Sequence, residues 1–119
     1  MTQIKIKRVY EPEEQSDGYR VLVDKLWPRG ISKEELPYDD WAKGITPSTG
    51  LREWFHVDEE GRWEEFKKRY IDELNASPDM KDFIRRIKEK PVVTLLFASK
   101  NAVHNHALIL QDYIEKALR

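Results

Sequence analysis

The stretch DGYRVLVDKLWPRGISK, residues 17–33, decides the fold because it passes from an apolar run directly into a polar turn. Residues 19–24 are rich in aromatic and β-branched side chains, which suit a strand packed on both faces. Pro28 lacks an N–H group and Gly30 favours a turn, so this strand is predicted to end near Asp24. In open α/β sheets, ligands bind beyond the carboxyl ends of the strands. The stretch therefore predicts a polar site immediately after its own strand.

The composition indicates a single folded domain, residues 1–119. The 21 Lys and Arg residues are balanced by 22 Asp and Glu residues, so no overall charge attracts nucleic acid or a membrane surface, and any attraction for phosphate is local. The chain has no Cys, which excludes disulfides, thiolate catalysis and thiolate zinc sites. The N-terminus lacks an apolar segment of signal-peptide or membrane-spanning length, so we expect a cytoplasmic protein without a membrane partner.

Hydrophobic periodicity predicts two further strands and four main helices besides the opening stretch. Residues 3–10 alternate in polarity, as in a half-buried strand, and residues 92–98 form a nearly continuous apolar run typical of a central strand. A capping box at 32–35 predicts a one-turn helix, and the segment 38–46 has an irregular pattern. Longer helices are predicted to begin at Thr46-Pro47, Gly61, Ser77 and just after Asn101.

The two apolar strands place polar residues together if they are neighbours in one parallel sheet. Their carboxyl ends would then bring Asp24, Arg29 and Lys33 close to the turn after the last strand. Strand, short polar turn and helix form half of a βαβ unit, so an α/β fold with a mainly parallel sheet is predicted. In this arrangement Ser99, Asn101, Asn105 and His106 join the site.

His106 is predicted to lie about one turn inside the last helix, on its apolar face. The amino end of a helix disfavours positive charge, so a neutral imidazole there would serve as a base or a hydrogen-bond donor. The alternative is a histidine of the core that bonds a backbone carbonyl. His104 lies two residues away and cannot chelate a metal with His106 from one helix, so no metal site is predicted. The motifs of serine hydrolases, P-loop proteins, dinucleotide-binding proteins and zincins are absent.

Cationic and aromatic residues alternate along the first two thirds of the chain, as suits stacking on a base while guanidinium groups hold phosphate. They are Arg20, Trp27, Arg29, Lys33, Trp41, Arg52, Trp54 and Arg69. For Trp54 and Arg69 a role in the core and in surface ion pairs is favoured, whereas Trp27 and Arg29 are favoured as ligand contacts. Arg20 lies within the buried strand, where it needs an anionic partner.

Several motifs together resemble one known family. They are Arg20-Val-Leu-Val-Asp24, Leu26-Trp-Pro-Arg-Gly30, Pro47-Ser48, Leu51-Arg-Glu-Trp-Phe55, Arg69-Tyr70, and Thr94-Leu-Leu-Phe97 through Asn105-His106-Ala107. In this order they resemble the YeaO-like branch of the domain-of-unknown-function family 488. The resemblance implies a small cytoplasmic α/β protein with a three-layer α/β/α sandwich, and it implies no established reaction.

The polar motif positions of that family correspond to nine residues of this chain. They are Arg20, Asp24, Trp27, Arg29, Lys33, Ser48, Arg52, Asn105 and His106. The resemblance also implies an acidic residue, in many relatives, in the turn where this chain has Lys100. A catalytic role of that acid would not extend to this chain.

Two functions remain open from the sequence, beside a third interpretation in which the polar cluster is purely architectural. The first is a pocket for a small anionic or nucleotide-like ligand, in which Arg20, Arg29, Lys33 and Arg52 bind the anion and Trp27 forms a stacking wall. Asp24 and His106 would then be an acid/base pair of an enzyme. The alternative is a non-catalytic module that binds nucleic acid or a protein through the same cations. No cofactor is indicated.

Overall fold

Four parallel strands form one sheet in the computed structural model, which describes residues 2–119. The strands are β1 (Gln3–Arg8), β2 (Tyr19–Leu22), β3 (Asp40–Trp41) and β4 (Val92–Phe97). Their order across the sheet is β1-β4-β2-β3. Strand β4 pairs in parallel with both β1 and β2, which confirms that the two apolar strands are neighbours. The carboxyl ends of β1, β2 and β4 therefore meet at one edge of the sheet.

Four helices cover one face of this sheet. They are α1 (Thr49–His56), α2 (Trp63–Asn75), α3 (Pro78–Ile87) and α4 (His106–Ala117). Their buried side chains share one cluster with Val21, Val93 and Leu95 of the strands, which point to the same face. Among residues 2–119, no helix is both long enough and apolar enough to cross a bilayer.

The opposite face is covered by irregular chain instead of helices. At the carboxyl half of the strands, Leu22 and Leu96 pack against Leu36, with Trp27 and Trp41 beside them. Both indole N–H groups donate to backbone carbonyls within this layer, at 2.6 and 2.7 Å. The predicted α/β fold with a parallel central sheet is confirmed. Of the two outer layers in the expected α/β/α sandwich, one is helical and the other is irregular chain.

The amino half of the same face buries charge. The Asp17 carboxylate accepts hydrogen bonds from the Lys7 ammonium at 2.8 Å and from the Arg20 guanidinium. Arg20 also donates to the Pro37 carbonyl, and the Thr94 hydroxyl donates to the Asp17 carbonyl, at 2.8 and 2.7 Å. Asp17 and Arg20 are 2% and 3% exposed. Each buried charge thus has an opposite charge in contact with it, as burial requires.

The predicted strands and turns need several corrections. Strand β1 stops at Arg8, two residues before the prediction, because Arg8 and Glu11 close a turn. Strand β2 ends at Leu22, before the predicted end near Asp24, although the Val23 N–H still donates to β4. The one-turn helix at 32–35 is a turn instead, in which the Glu35 carboxylate accepts the Ser32 N–H. The segment predicted to be irregular contains β3, a strand too short for its periodicity to be read.

Three helices begin later than predicted, and one of them is α2, which begins at Trp63 and not at Gly61. Ser48 is the N-cap of α1 and accepts the Leu51 N–H, so Pro47 precedes the cap and does not lie in the first turn. Helix α4 begins at His106, not just after Asn101, because the Asn105 side chain caps it. His106 is therefore the first residue of the helix. The start of α3 at Pro78, capped by Ser77, is confirmed.

Replacing Asp17 with Asn should lower the free energy of unfolding by about 3–5 kcal/mol, because the buried Arg20 guanidinium loses its counter-ion and Lys7 keeps only the exposed Glu14 as a partner. Urea unfolding followed by circular dichroism measures this difference. Asp112→Asn is the matched control, since Asp112 forms an exposed ion pair with Lys116 whose loss should cost less than about 1 kcal/mol. Equal losses in the two variants would show that the buried cluster is not stabilising.

The same cluster should make the protein sensitive to acid. Burial favours a raised pKa for Asp17, but hydrogen bonds from Lys7, the Glu14 backbone and Arg20 outweigh it, so the Asp17 pKa is lowered. A carboxyl group with a lowered pKa stabilises the fold fully above its ordinary pKa of about 4 and loses this effect as pH falls through the lowered value. The difference in unfolding free energy between wild type and Asp17→Asn should therefore shrink below about pH 4. Urea titrations at a series of pH values measure it.

Candidate functional site

A cavity of about 740 Å³ lies at the edge of the sheet where β1, β2 and β4 end. One wall is residues 24–29, the chain that leaves β2. A second wall comes from α1 and the residues around Glu59, and a third from residues 98–106, between β4 and α4. The volume is within the range of small-molecule sites. Three separate loops and a helix thus converge on one space.

Asp24 and His106 meet at the base of this cavity. The imidazole Nε2 lies 2.7 Å from the Val23 carbonyl oxygen and 3.4 Å from Asp24 Oδ1. A carbonyl can only accept, so Nε2 carries the proton in this contact. The other Asp24 oxygen accepts the Ala98 N–H at 2.9 Å. Asp24 thereby joins the ends of β2 and β4, and His106 bonds a backbone carbonyl, as the structural alternative for this residue predicts.

Glu59 ties two walls of the cavity together. One carboxylate oxygen lies 2.7 Å from His56 Nδ1, and the other accepts a hydrogen bond from the Asn101 amide at 3.0 Å. The His104 ring stacks on Trp63, with ring centroids 4.8 Å apart. Burial favours a raised pKa for Glu59, but the bonds from Asn101 and His56 and the imidazoles of His56 and His104 outweigh it. The Glu59 pKa is consequently lowered, which keeps the carboxylate ionised.

Four cations line the cavity without a carboxylate partner. They are Lys25, Arg29, Arg52 and Lys100. Within residues 2–119, none of the four forms an ion pair, and none donates a side-chain hydrogen bond to a protein group. The carboxylates that line the same cavity are Asp24 and Glu59. With neutral imidazoles the lining therefore carries a formal excess of two positive charges.

Apolar and aromatic side chains form the remainder of the lining. Phe55 and Phe66 are buried and stacked, with centroids 4.0 Å apart. Trp27 and Pro28 stand on the opposite wall, and Leu26 is exposed at the mouth. The cavity thus combines an apolar interior with a cationic lining.

The structure brings six of the nine predicted site residues to this cavity. They are Asp24, Trp27, Arg29, Arg52, Asn105 and His106. Of these, Asn105 is engaged in local structure, because its side chain caps α4 and donates to the Asn101 carbonyl.

The other three predicted residues lie elsewhere. Arg20 belongs to the buried ion cluster with Asp17, and Lys33 is exposed in the turn after Gly30. Ser48 caps α1 and donates to the Glu73 carboxylate at 2.6 Å. None of the three lines the cavity.

Sequence reasoning missed Glu59, His56 and His104 as members of the site. Glu59 contacts an amide 42 residues further along the chain, and no local pattern predicts such a pair. The one available signal is the content of histidine, since the chain has three and all of them line this cavity. Among residues 2–119, no group of three or more His, Asp and Glu side chains is placed to hold a metal ion.

Comparisons with known proteins give matches over nearly the whole chain. A family model described as the inactive DUF488-N3 subclade matches residues 3–119. The uncharacterized protein YeaO of Escherichia coli K12 is 49% identical over 111 residues, which are 93% of this chain and 96% of YeaO. The uncharacterized proteins Mb3100c of Mycobacterium bovis and Rv3073c of Mycobacterium tuberculosis are each 39% identical over 113 residues, 95% of this chain and 94% of theirs. No solved structure matches significantly.

The contact between Glu59 and Asn101 should be energetically coupled. Glu59→Ala and Asn101→Ala each release the same tether, so the two losses of unfolding free energy should overlap by about 0.5–1.5 kcal/mol in a double-mutant cycle. Urea unfolding of the four proteins measures the coupling. Glu60→Ala is the matched control, because Glu60 is exposed and adjacent. Additive effects of Glu59→Ala and Asn101→Ala would contradict the tether.

Proposed function

The chain belongs to the family described as the inactive DUF488-N3 subclade, and we propose that its cavity binds a small anionic, nucleotide-like ligand without transforming it. The match to this family model and the similarity to YeaO confirm the resemblance to domain-of-unknown-function family 488. The family description and the names of the relatives specify no ligand. The proposal therefore depends on the lining of the cavity.

One observation carries the proposal: four cations face a single cavity and have no protein partner within the described chain. A surface Lys or Arg without a partner is ordinary, because water solvates it. Here, in contrast, four such cations surround one space. Lys25 and Arg29 lie on the first wall, Arg52 on the second and Lys100 on the third. An anion in this space would receive charge-assisted hydrogen bonds from several directions. Arg52 and Lys25 are only partly exposed, so folding has already removed part of the water that they would have to lose when an anion binds.

The apolar interior favours an anion that carries a flat or apolar group. The stacked rings of Phe55 and Phe66, which are 4% and 2% exposed, belong to the lining, and the partly exposed Trp27 belongs to it as well. A simple oxyanion would leave these surfaces in contact with water. A base or similar ring would cover them, while its phosphate reached the cations. These two features together support a nucleotide-like ligand.

Binding without catalysis is favoured over the acid/base enzyme. In the present geometry Asp24 accepts a backbone N–H, and His106 Nε2 donates to a backbone carbonyl. Both groups thus hold the ends of the strands in place, and only His106 Nδ1 has no protein partner in residues 2–119. Lys100 stands in the turn where the family resemblance implies an acid. The description of the family as inactive agrees with this arrangement.

Binding of adenosine monophosphate should depend on Arg52. We expect Arg52→Ala to weaken the affinity about tenfold, since a hydrogen bond to a charged group contributes about 1.5–3 kcal/mol. A heteronuclear NMR titration measures both the affinity and the residues perturbed. Signals of the cavity lining, Lys100 and Asn105 among them, should shift.

Two variants control this titration. Arg52→Lys keeps the charge and should lose less affinity than Arg52→Ala. Arg85→Ala removes an exposed arginine paired with Asp82 on α3, outside the cavity, and should leave the affinity unchanged. Absence of binding in wild type, or equal weakening by Arg85→Ala, would contradict a site in the cavity. Binding of oligonucleotides that declines steeply with salt would favour the macromolecular alternative.

Bound adenosine monophosphate should stay intact. Because Asp24 and Nε2 of His106 are both engaged with the backbone, the two residues do not form an acid/base pair that faces the ligand, and we expect no release of base or phosphate on prolonged incubation. Chromatography of the recovered nucleotide measures this. Turnover that disappears in His106→Gln but persists in Arg85→Ala would establish the acid/base enzyme instead.

A further inference from the structure

The three histidines of the chain, His56, His104 and His106, all line the proposed anion-binding cavity. Histidine is the side chain whose ordinary titration falls between about pH 5 and 8. The chain has no Cys, the other side chain that environment readily moves into this range. The side chains of the type that ordinarily titrates in this range therefore lie together in one cavity.

His56 and His104 lie on either side of Glu59. The His56 ring is 2.7 Å from the Glu59 carboxylate and belongs to α1, the helix that also carries Arg52. The His104 ring stacks on Trp63 of α2, above which the Lys67 ammonium lies at 5.8 Å. Glu59 is the carboxylate that faces both imidazoles, and its lowered pKa favours the charged form.

His106 faces a different set of groups at the base of the cavity. Asp24, after β2, lies 3.4 Å from Nε2, and the Tyr70 ring of α2 packs edge-on at 6.5 Å between centroids. Burial raises the pKa of Tyr70 well above its ordinary value, so this phenol stays neutral beside the imidazole. Nε2 already donates to the Val23 carbonyl. Protonation would therefore add an N–H group at Nδ1, which has no protein partner in residues 2–119.

Protonation of the three imidazoles would increase the formal positive charge of the cavity lining. The lining holds Lys25, Arg29, Arg52 and Lys100 against the two carboxylates, a formal excess of two with neutral imidazoles. With all three imidazoles protonated the excess is five. Charges that share a partly buried cavity interact more strongly than in bulk water. A bound anion and the protonated imidazoles therefore stabilise each other, and this linkage is reciprocal.

We infer that the cavity is an anion site whose affinity increases with acidity, because His56, His104 and His106 take up protons as the anion binds. This inference rests on the proposed function and adds its regulation. Ligand affinity rises as pH falls through the range in which histidine titrates. In the opposite direction, ligand binding moves the titration of each imidazole to higher pH.

Sulfate is the probe, because its own charge does not change in this range, unlike that of a phosphate monoester. Its dissociation constant is measured by NMR at about pH 8 and about pH 5, with ionic strength held constant by sodium chloride. We expect sulfate to bind at least about tenfold more tightly at the lower pH, since even one added charge near a dianion is worth about 1.4 kcal/mol or more. The three imidazole signals, followed with and without sulfate, report the titrations directly.

The variant that tests the cause is His56→Gln/His104→Gln/His106→Gln, which contains no imidazole. It should bind sulfate at about pH 8 but show no tightening toward about pH 5. If this variant does not fold, His56→Gln serves, because the His56 side chain is 57% exposed and its replacement should be tolerated. That single variant should reduce the pH dependence without removing it.

The outcomes separate the inference from the proposed function. Tightening at low pH together with imidazole titrations moved to higher pH supports the inference. Sulfate binding of equal strength at both pH values, or tightening that persists without histidine, overturns the inference and leaves the anion site standing. No sulfate binding at either pH also overturns it, and the adenosine monophosphate titration then decides separately whether the proposed function falls as well.

Discussion

Parallel pairing on both sides of β4 is the constraint on which the site depends. The strand bonds to β1 along one edge and to β2 along the other, and residues 93–97 are buried. Because all three strands run in one direction, the chain must leave each of them at the same edge of the sheet. The polar residues that follow β2 and β4 are consequently neighbours, and the bond from Ala98 to Asp24 holds the two exits together.

The two faces of the sheet are covered in different ways. On one face, helices bury apolar side chains such as Val21 and Leu95 in a single cluster. On the other, the amino half of the sheet holds a compensated ion cluster around Asp17, and the carboxyl half is covered by indole rings. The cavity forms where the helical layer and the irregular layer both reach the edge of the sheet. Its lining therefore draws apolar rings and cations from different layers.

The elements that the sequence located are those long enough to show either a helical period with one buried face or a continuous run of apolar residues buried on both faces. Strand β4 and helices α2 and α3 have such patterns, and their positions agree with the prediction to within a few residues. Strand β3 could not be found this way, because two residues show no period and its pairing depends on β2.

The candidate site was predictable to the extent that it follows from strand ends. Asp24 and His106 were expected to be close if the two apolar strands paired, and they are 3.4 Å apart. The role of Glu59 could not be predicted from the sequence, since its partner Asn101 is distant along the chain. Arg20 illustrates the opposite difficulty: residue type indicated an anion, and the anion in contact is Asp17, a residue of the same chain.

The irregular layer has a consequence for how the cavity opens. Residues 24–38 have no helical hydrogen bonding of their own. They are attached to the sheet by a small apolar cluster, by bonds from the Trp41 indole and the Ala98 N–H to Asp24, and by the bond from Arg20 to the Pro37 carbonyl. Segments of this kind open at a lower free energy than the global unfolding reaction. On this principle the wall that carries Trp27 and Arg29 has a lower cost of local opening than the wall formed by α1, which has helical hydrogen bonds of its own. Exchange of a bound molecule with solvent would then be governed by a local fluctuation, at little cost to the stability of the whole.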